Sequence, residues 1–230
     1  MRPLAILRPE PGGSLSAARA EALGIETIIR LPLFKVRPCE WKAPDPERFD
    51  AILMTSANAA RHAGEGLDAL KSLPVHAVGE ATAAAARSAG MMVDRVGNAG
   101  ISEMLEGLPN GLRLLHLAGR HRRVPSDLSQ MVVPVEVYTA VKREHPEGIA
   151  QLEGAVACVH SPRAGKRLAE LVPDEVRSTV SIAAISEAAA QACGEGWERV
   201  STAKTPDDPT LLSLAKRLCD TPSSSGGQEE

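Results

Sequence analysis

The chain has 230 residues, 43% hydrophobic and 24% charged, with a net charge of −3 and a sequence pI near 6.1. This is an ordinary globular balance, long enough for one large domain or two small ones. It excludes a global field that would favour DNA or acidic membranes, and 2% aromatic content argues against stacking on single-stranded nucleic acid while leaving the core to Ala, Leu, Val and Ile.

The first residues, Met1 to Gly13, carry an apolar run too short for an export signal, and no later stretch is long enough to span a bilayer, so a cytoplasmic protein is expected. Strand-like runs are read near residues 4–7, 26–30, 51–54, 75–78, 92–96, 113–117, 133–138, 156–159, 181–185 and 197–200, separated by Ala-rich helical runs. That alternation belongs to an α/β fold whose parallel sheets are flanked by helices. Ten strands are many for one sheet, so two sheets of about five are expected. Pro44-Asp-Pro marks a loop, and Pro206-Asp-Asp-Pro209 a turn before a last helix at about 210–219. Residues 222–230 form a polar tail expected to be disordered. Cys39, Cys158, Cys193 and Cys219 lack short paired spacing and are read as reduced and structural, Cys158 in a buried strand and Cys193 in a helix.

Part of the chain repeats. Ala51-Ile-Leu-Met-Thr-Ser56 resembles Val156-Ala-Cys-Val-His-Ser161; Ala77-Val-Gly-Glu80 resembles Ala184-Ile-Ser-Glu187; and Val93-Asp-Arg-Val96 resembles Trp197-Glu-Arg-Val200. The middle of the chain holds five strands of the repeat and the last part only three, so the N-terminal strand-helix-strand is expected to supply the other two. The expected domains are a discontinuous lobe of residues 1–34 with 142–221 and an inserted lobe of 35–141. The segments Leu33–Arg37 and Val135–Val141 alternate as extended strands do and would cross between the lobes as an antiparallel hinge. Two similar lobes around a cleft are expected.

Ligands of open parallel sheets bind beyond the carboxyl ends of the strands, where helix N-termini offer unpaired N–H groups. Small or hydroxylated residues recur at these turns: Thr55-Ser56-Ala-Asn58, Gly79-Glu80-Ala-Thr82, Ala118-Gly119-Arg120, His160-Ser161-Pro-Arg163 and Ser186-Glu187. Taken singly they are good helix caps; taken together they suit a polyanion. Glu80 and Glu187 read as caps alone. Gly119-Arg-His-Arg-Arg123 is the most basic stretch, and Arg8 and Arg163 sit at equivalent strand exits, all able to pair with carboxylates. A glycine-rich phosphate loop, a G-x-S-x-G elbow and metal spacing of histidines are missing, and His116 within an apolar strand reads as structural. Such a site suits binding, or a reaction that needs mainly positioning.

In order along the chain, Asp50–Ala59, Ala77–Thr82 with Gly90, Leu114–Gly119, Val135–Tyr138, Val159–Pro162, Ala183–Cys193 and Thr202–Pro206 resemble the uroporphyrinogen-III synthase family. The resemblance implies a cofactor-free enzyme acting on hydroxymethylbilane, a linear tetrapyrrole with eight carboxylates. Such an enzyme expels the terminal hydroxyl as water, inverts the last ring through a spiro intermediate and closes the macrocycle. It further implies that Tyr138, the only tyrosine, assists departure of the hydroxyl, and that Ser56, Asn58, Gly79, Thr82, Ser161 and Ser186 contact substrate. The reading of the turns adds Arg8, Gly119, Arg120 and Arg163. Ser186 stands where the family commonly has Gly, and Ala189 where Thr is typical. A monomer that binds neither nucleic acid nor membrane is expected; the alternative is an inactive two-lobed module binding a tetrapyrrole or small anion.

Overall fold

Four short runs, Leu4–Ile6, Ala51–Met54, Val156–Val159 and Ser181–Ala184, are buried at every position. Strands without an exposed side belong to parallel sheets covered on both faces. In the computed structural model, which describes residues 1–97, 100–121 and 128–222, each lies inside such a sheet. In chain order the elements are β1 (Leu4–Ile6), α1 (Gly12–Ala22), β2 (Ile28–Arg30), β3 (Phe34–Pro38), β4 (Ala51–Met54), α2 (Ala57–His62), β5 (Val75–Val78), α3 (Glu80–Ser88), β6 (Val93–Gly97) and α4 (Ile101–Glu106). There follow β7 (Arg113–Gly119), β8 (Met131–Lys142), β9 (Val156–Val159), α5 (Pro162–Leu171), α6 (Asp174–Arg177), β10 (Ser181–Ala184), α7 (Glu187–Gln191), β11 (Arg199–Thr202) and α8 (Asp208–Asp220). The chain divides into a split unit, Met1–Lys35 with Lys142–Glu230, and an inserted unit, Val36–Val141.

The split unit carries a five-stranded parallel sheet, β11-β10-β9-β1-β2. Leu4, Ile6, Val156, Cys158 and Ala183 point to one face, where α1 and α8 cover them with Ala17, Ala20, Leu211, Leu212, Ala215 and Leu218. At the amino end of the sheet the side chain of Arg2 donates to the carbonyls of Gly154 (2.7 Å) and Thr179 (2.8 Å). It also pairs with Glu198 at 2.6 Å, both side chains being 10% exposed or less. Arg2 thereby ties β1 to the approaches of β9, β10 and β11.

The inserted unit is built on the order β8-β7-β4-β5-β6, which β3 extends beyond β8. Alternation along β4 sends Ile52 and Met54 against the alanines of α2 and α3, and Ala51 and Leu53 against Met104, Leu105 and Leu108. Alanine here substitutes for aromatic bulk by letting helix and sheet approach closely. β3 and β8 pair: the Cys39 N–H donates to Val137 (3.0 Å) and the Arg143 N–H to Leu33 (2.9 Å). Advancing on one strand retreats on the other, so the pair is antiparallel.

Strand for strand the two sheets have one order, with β9-β10-β11 equivalent to β4-β5-β6 and β1-β2 to β7-β8. Register upholds the first two internal matches and shifts the third. Ile182 lies opposite Val200 as Val75 lies opposite Val93, so Val93 corresponds to Val200, not Trp197. Trp197 precedes β11 and is buried, its indole N–H donating to Cys193. The runs read separately at 133–138 and 135–141 are one twelve-residue strand, β8. Cys193 lies past the end of α7 rather than within a helix, its thiol 3.3 Å from the Ala189 carbonyl. The last helix starts inside the presumed turn, at Asp208, because Asp207 caps it by accepting from the Thr210 N–H at 2.8 Å. The four cysteines are free, and burial pushes the thiols of Cys193 and Cys219 up to about 11. Residues 223–230 of the polar tail, and Arg122 and Arg123 of the basic stretch, lie outside the described residues. Among the described residues no helix is long and apolar enough to cross a membrane.

Gly165 of α5 sets how closely α5 packs on α7. A Cβ there would lie 2.8 Å from the Ala189 carbonyl oxygen and 3.1 Å from the Cys193 nitrogen, backbone atoms that cannot rotate away. Gly165→Ala should gain up to about 1 kcal/mol of helix propensity and lose about 1–3 kcal/mol to overpacking. A net loss of stability is expected in urea unfolding.

Candidate functional site

Parallel strands end at one edge of their sheet, and ligands bind beyond that edge where strand order reverses. In the inserted unit the reversal falls between β4 and β7. Along this edge stand Thr55 and Ser56 after β4, Gly79 after β5, Gly119 at the end of β7 and Tyr138 opposite Gly119 on β8. Asn58 and Thr82 follow in the first turns of α2 and α3, Thr82 being buried. Thr55 Oγ1 and the Nε2 of buried His116 lie 3.2 Å apart and link the β4 and β7 exits.

In the split unit the reversal falls between β1 and β9. Arg8 follows β1, His160 and Ser161 follow β9, and Ser186 follows β10, with Arg163 in the first turn of α5. The structure thus gathers seven of the predicted residues on the edge of the inserted unit and four on that of the split unit.

Three of the serines act as caps. Ser56 accepts from the Asn58 N–H (3.2 Å), Ser161 from the Ala164 N–H (3.2 Å) and Ser186 from the Ala189 N–H (3.4 Å). Capping uses a lone pair and leaves each hydroxyl its own proton to donate. Gly79 caps α3 with φ +89°, a conformation that favours glycine. Ser186 has φ −158°, extended backbone open to any residue. The two equivalent turns therefore differ in backbone, which accounts for serine where the resemblance leads one to expect glycine. Ala189 is fully buried.

Tyr138 packs against the core of the inserted unit, its ring 6.4 Å from that of His62 and tilted 38° to it. Burial, aided by Arg61, holds His62 below the usual imidazole range and favours the neutral ring. Arg120 donates its backbone N–H to Tyr138 (3.0 Å) and pairs through Nε with Glu136 (3.0 Å). Arg163 stacks its guanidinium 4.8 Å from the centre of the Phe34 ring, and burial lowers its pKa.

The reversal point of the split unit holds a charge cluster that the sequence did not reveal. Asp208, its side chain 9% exposed, accepts from Ser16 (2.7 Å), Arg19 (2.7 Å), His160 (2.8 Å) and Arg8 (3.3 Å). One edge of the Arg8 guanidinium is thus engaged within its own unit. Burial raises the Asp208 carboxyl, but the hydrogen bonds from His160, Ser16 and Arg19 outweigh it and hold the group well below the carboxylate range. Burial lowers His160; its bond to Asp208 offsets this only in part, and Arg8 adds to the lowering. The sequence offered one usable signal, an Asp-Pro pair at a helix start; partners so far apart along the chain leave no spacing to read.

Breaking a buried ion pair costs about 3–5 kcal/mol. Asp208→Ala should fall near 3 kcal/mol, because the partly exposed Arg8 and Arg19 can return to water. Both lowered groups act in one direction with pH. An unfolded chain takes up a proton at His160 below about 6.5, and at Asp208 below 3.8, before the folded chain does. Stability should therefore decline as pH falls from about 6.5, part of it through His62 and His76, which burial also lowers. His160→Gln should flatten the slope between pH 6.5 and 4.5, measured by urea unfolding in a pH series.

The family model for uroporphyrinogen-III synthase HemD (HEM4) matches residues 15–213. Among solved structures, the uroporphyrinogen-III synthetase of Helicobacter pylori is similar with a TM-score of 0.61 and 18% identity, over 95% of this chain and 100% of that one. Two structures of uroporphyrinogen III synthase from Thermus thermophilus match at 21% and 20% identity with TM-scores of 0.48 and 0.42, each over 95% of this chain and 99% and 98% of theirs. A search among curated proteins gave no match. The H. pylori likeness shows the fold, and the family match runs from α1 into α8 across both units. With that span matched, the chain belongs to the uroporphyrinogen-III synthase family, enzymes of porphyrin biosynthesis whose substrate is hydroxymethylbilane.

Proposed function

We propose that this chain converts hydroxymethylbilane to uroporphyrinogen III, with Tyr138 donating a proton to the departing hydroxyl. The observation that carries the reading is the family match over residues 15–213. The placement of Tyr138 on the carboxyl edge of its sheet, opposite the end of β7, supports its role. A phenol can donate as well as accept. Its proton would pass to the hydroxyl, the carbon–oxygen bond would break, and water would leave.

The substrate can close unaided to the uninverted isomer, so the protein must chiefly hold it in the conformer that inverts the last ring. Catalysis by orientation accounts for this without a nucleophile. On this reading the carboxylates are handles for the strand-exit donors, drawn from Ser56, Asn58, Gly79, Thr82, Gly119, Arg120, Arg8, Ser161, Arg163 and Ser186. Each helix end contributes only about 0.3–1 kcal/mol, so several must act together on several carboxylates. We also read the protein as a cytoplasmic monomer that works without nucleic acid. Its four free cysteines suit a reducing compartment, and a net charge of −3 gives no attraction for a polyanionic helix.

Purified protein given freshly generated hydroxymethylbilane should yield predominantly type III porphyrin after oxidation; type I alone, at the protein-free rate, would leave a binding relative. A general acid contributes about 10²–10⁴-fold. Tyr138→Phe should lower kcat by about 10²-fold, the low end for a leaving group that also departs unaided. Full activity in that variant would remove Tyr138 from the mechanism.

A further inference from the structure

Gly119 is not a glycine of conformation. It is absent from the glycines with positive φ, so its backbone is open to any residue. What excludes a larger residue is the ring of Tyr138. A Cβ on Gly119 would lie 2.7 Å from both Cε2 and Cζ of that ring and 3.0 Å from its Oη. Contacts under 3 Å cannot persist, and the neighbour here is the reactive end of the side chain itself. Gly79, on the same edge, is the contrast: it needs its φ, and nothing lies within 4 Å of the Cβ it lacks.

The ladder between β7 and β8 shows how the ring comes to lie there. Leu117 faces Val135 and Ala118 faces Glu136, but Gly119 faces Tyr138, so the register skips Val137. In regular pairing Val137 and Tyr138 would point to opposite faces. The bulge instead turns both to the side of Ile52, Met54, Leu115 and Leu117, Val137 wholly buried and Tyr138 partly so. The Arg120 N–H then donates to the Tyr138 carbonyl at 3.0 Å and resumes the ladder, fixing the backbone from which the ring projects.

We infer that Gly119 is a positioning residue for Tyr138: the bulge sets the ring over the end of β7, and the missing side chain is the space its phenol end occupies. The inference rests on the reading of Tyr138 as proton donor. It assigns Gly119 a task apart from contact with substrate, which is to keep the hydroxyl at one height above the sheet edge.

Tyr138 is the only tyrosine, so protein labelled with ¹³C at tyrosine gives one ring signal that needs no assignment. Gly119→Ala should shift that signal and lower kcat by about 10- to 100-fold, the loss a displacement near 1 Å produces. In a Tyr138→Phe background the same substitution should change kcat less than about twofold, since no hydroxyl remains to misplace. Gly119→Ala should also lower the melting temperature, and Tyr138→Ser should relieve that loss by removing the ring. An unshifted tyrosine signal, an equal loss of kcat in both backgrounds, or an equal loss of melting temperature with and without the ring would each overturn the inference. Should Gly119→Ala alone fail to fold, the Gly119→Ala, Tyr138→Ser pair decides: folded supports it, unfolded overturns it. Full activity of Tyr138→Phe would defeat the proton-donor reading instead, while the ring signal would still decide what Gly119 holds.

Discussion

The pairing of β1 with β9 is the constraint on which the split unit depends. Leu4, Ala5 and Ile6 lie opposite Val156, Ala157 and Cys158, and all six are at most 1% exposed. Remove β1 and β2 loses its partner, leaving three strands. The partners are about 150 residues apart, yet closing so long a loop costs only about 1.5 kcal/mol more than closing one of 25. The actual cost is smaller still. The hydrogen bonds at Leu33–Arg143 and Cys39–Val137 bring the two ends of the inserted stretch side by side. To the split unit the whole insertion enters and leaves like a hairpin. Arg2 then adds specificity, because an ion pair as buried as Arg2–Glu198 stabilises little against apolar packing but is costly to leave half-made.

With strand order shared, the two sheets offer equivalent reversal points that are furnished differently. In the inserted unit the exits of β4 and β7 are joined by Thr55 and His116, and the adjoining β8 presents Tyr138. In the split unit the same place is filled by Asp208 with Arg8, Arg19, His160 and Ser16. His160 occupies the position equivalent to Thr55, one residue before the capping serine in each case. Substitution there, together with an acidic residue at the start of α8, converts a polar link between strands into a link between strand, α1 and α8. The chemistry proposed for Tyr138 therefore falls to one unit, and the other has spent its reversal point on holding α1 and α8.

The parallel α/β class was legible because strands covered on both faces are near-continuous apolar runs, and the runs at 51–54, 75–78 and 156–159 coincide with β4, β5 and β9. β8 was read as two overlapping runs, 133–138 and 135–141, because it is not such a strand, and it carries Pro134 within it. Proline is tolerated there since β3, ending at Pro38, does not extend alongside it, and no partner on that side needs its N–H. Trp197 misled the repeat by its size: it fills the core from a turn and only looks like the start of β11. The strand-exit turns were readable from their hydroxyls, but their use was not. That Ser56, Ser161 and Ser186 cap, that Gly79 needs its φ and Gly119 needs its emptiness, depends on backbone angles and on neighbours far along the chain. The Asp208 cluster was invisible for the same reason, since its four donors come from three separate elements.

These facts bear on how a chain of net charge −3 would hold a substrate with many carboxylates. Each cationic candidate whose side chain the structure describes already has company: Arg8 has Asp208 and Ser16, Arg120 has Glu136, and Arg163 has the face of Phe34. Such partners lower the raw attraction for an anion, but they also fix where each guanidinium points. A free arginine must surrender rotamer entropy on binding, about 0.5–1.5 kcal/mol for each side chain immobilised. One already held surrenders less, and the remaining N–H groups keep their direction. The serine caps follow the same logic, with the oxygen committed to the helix and the proton left to aim. For a reaction whose difficulty is choosing one folded conformer over another, direction is worth more than strength. Uniform attraction would bind the productive and unproductive conformers alike, whereas donors fixed in place favour only the conformer whose carboxylates meet them.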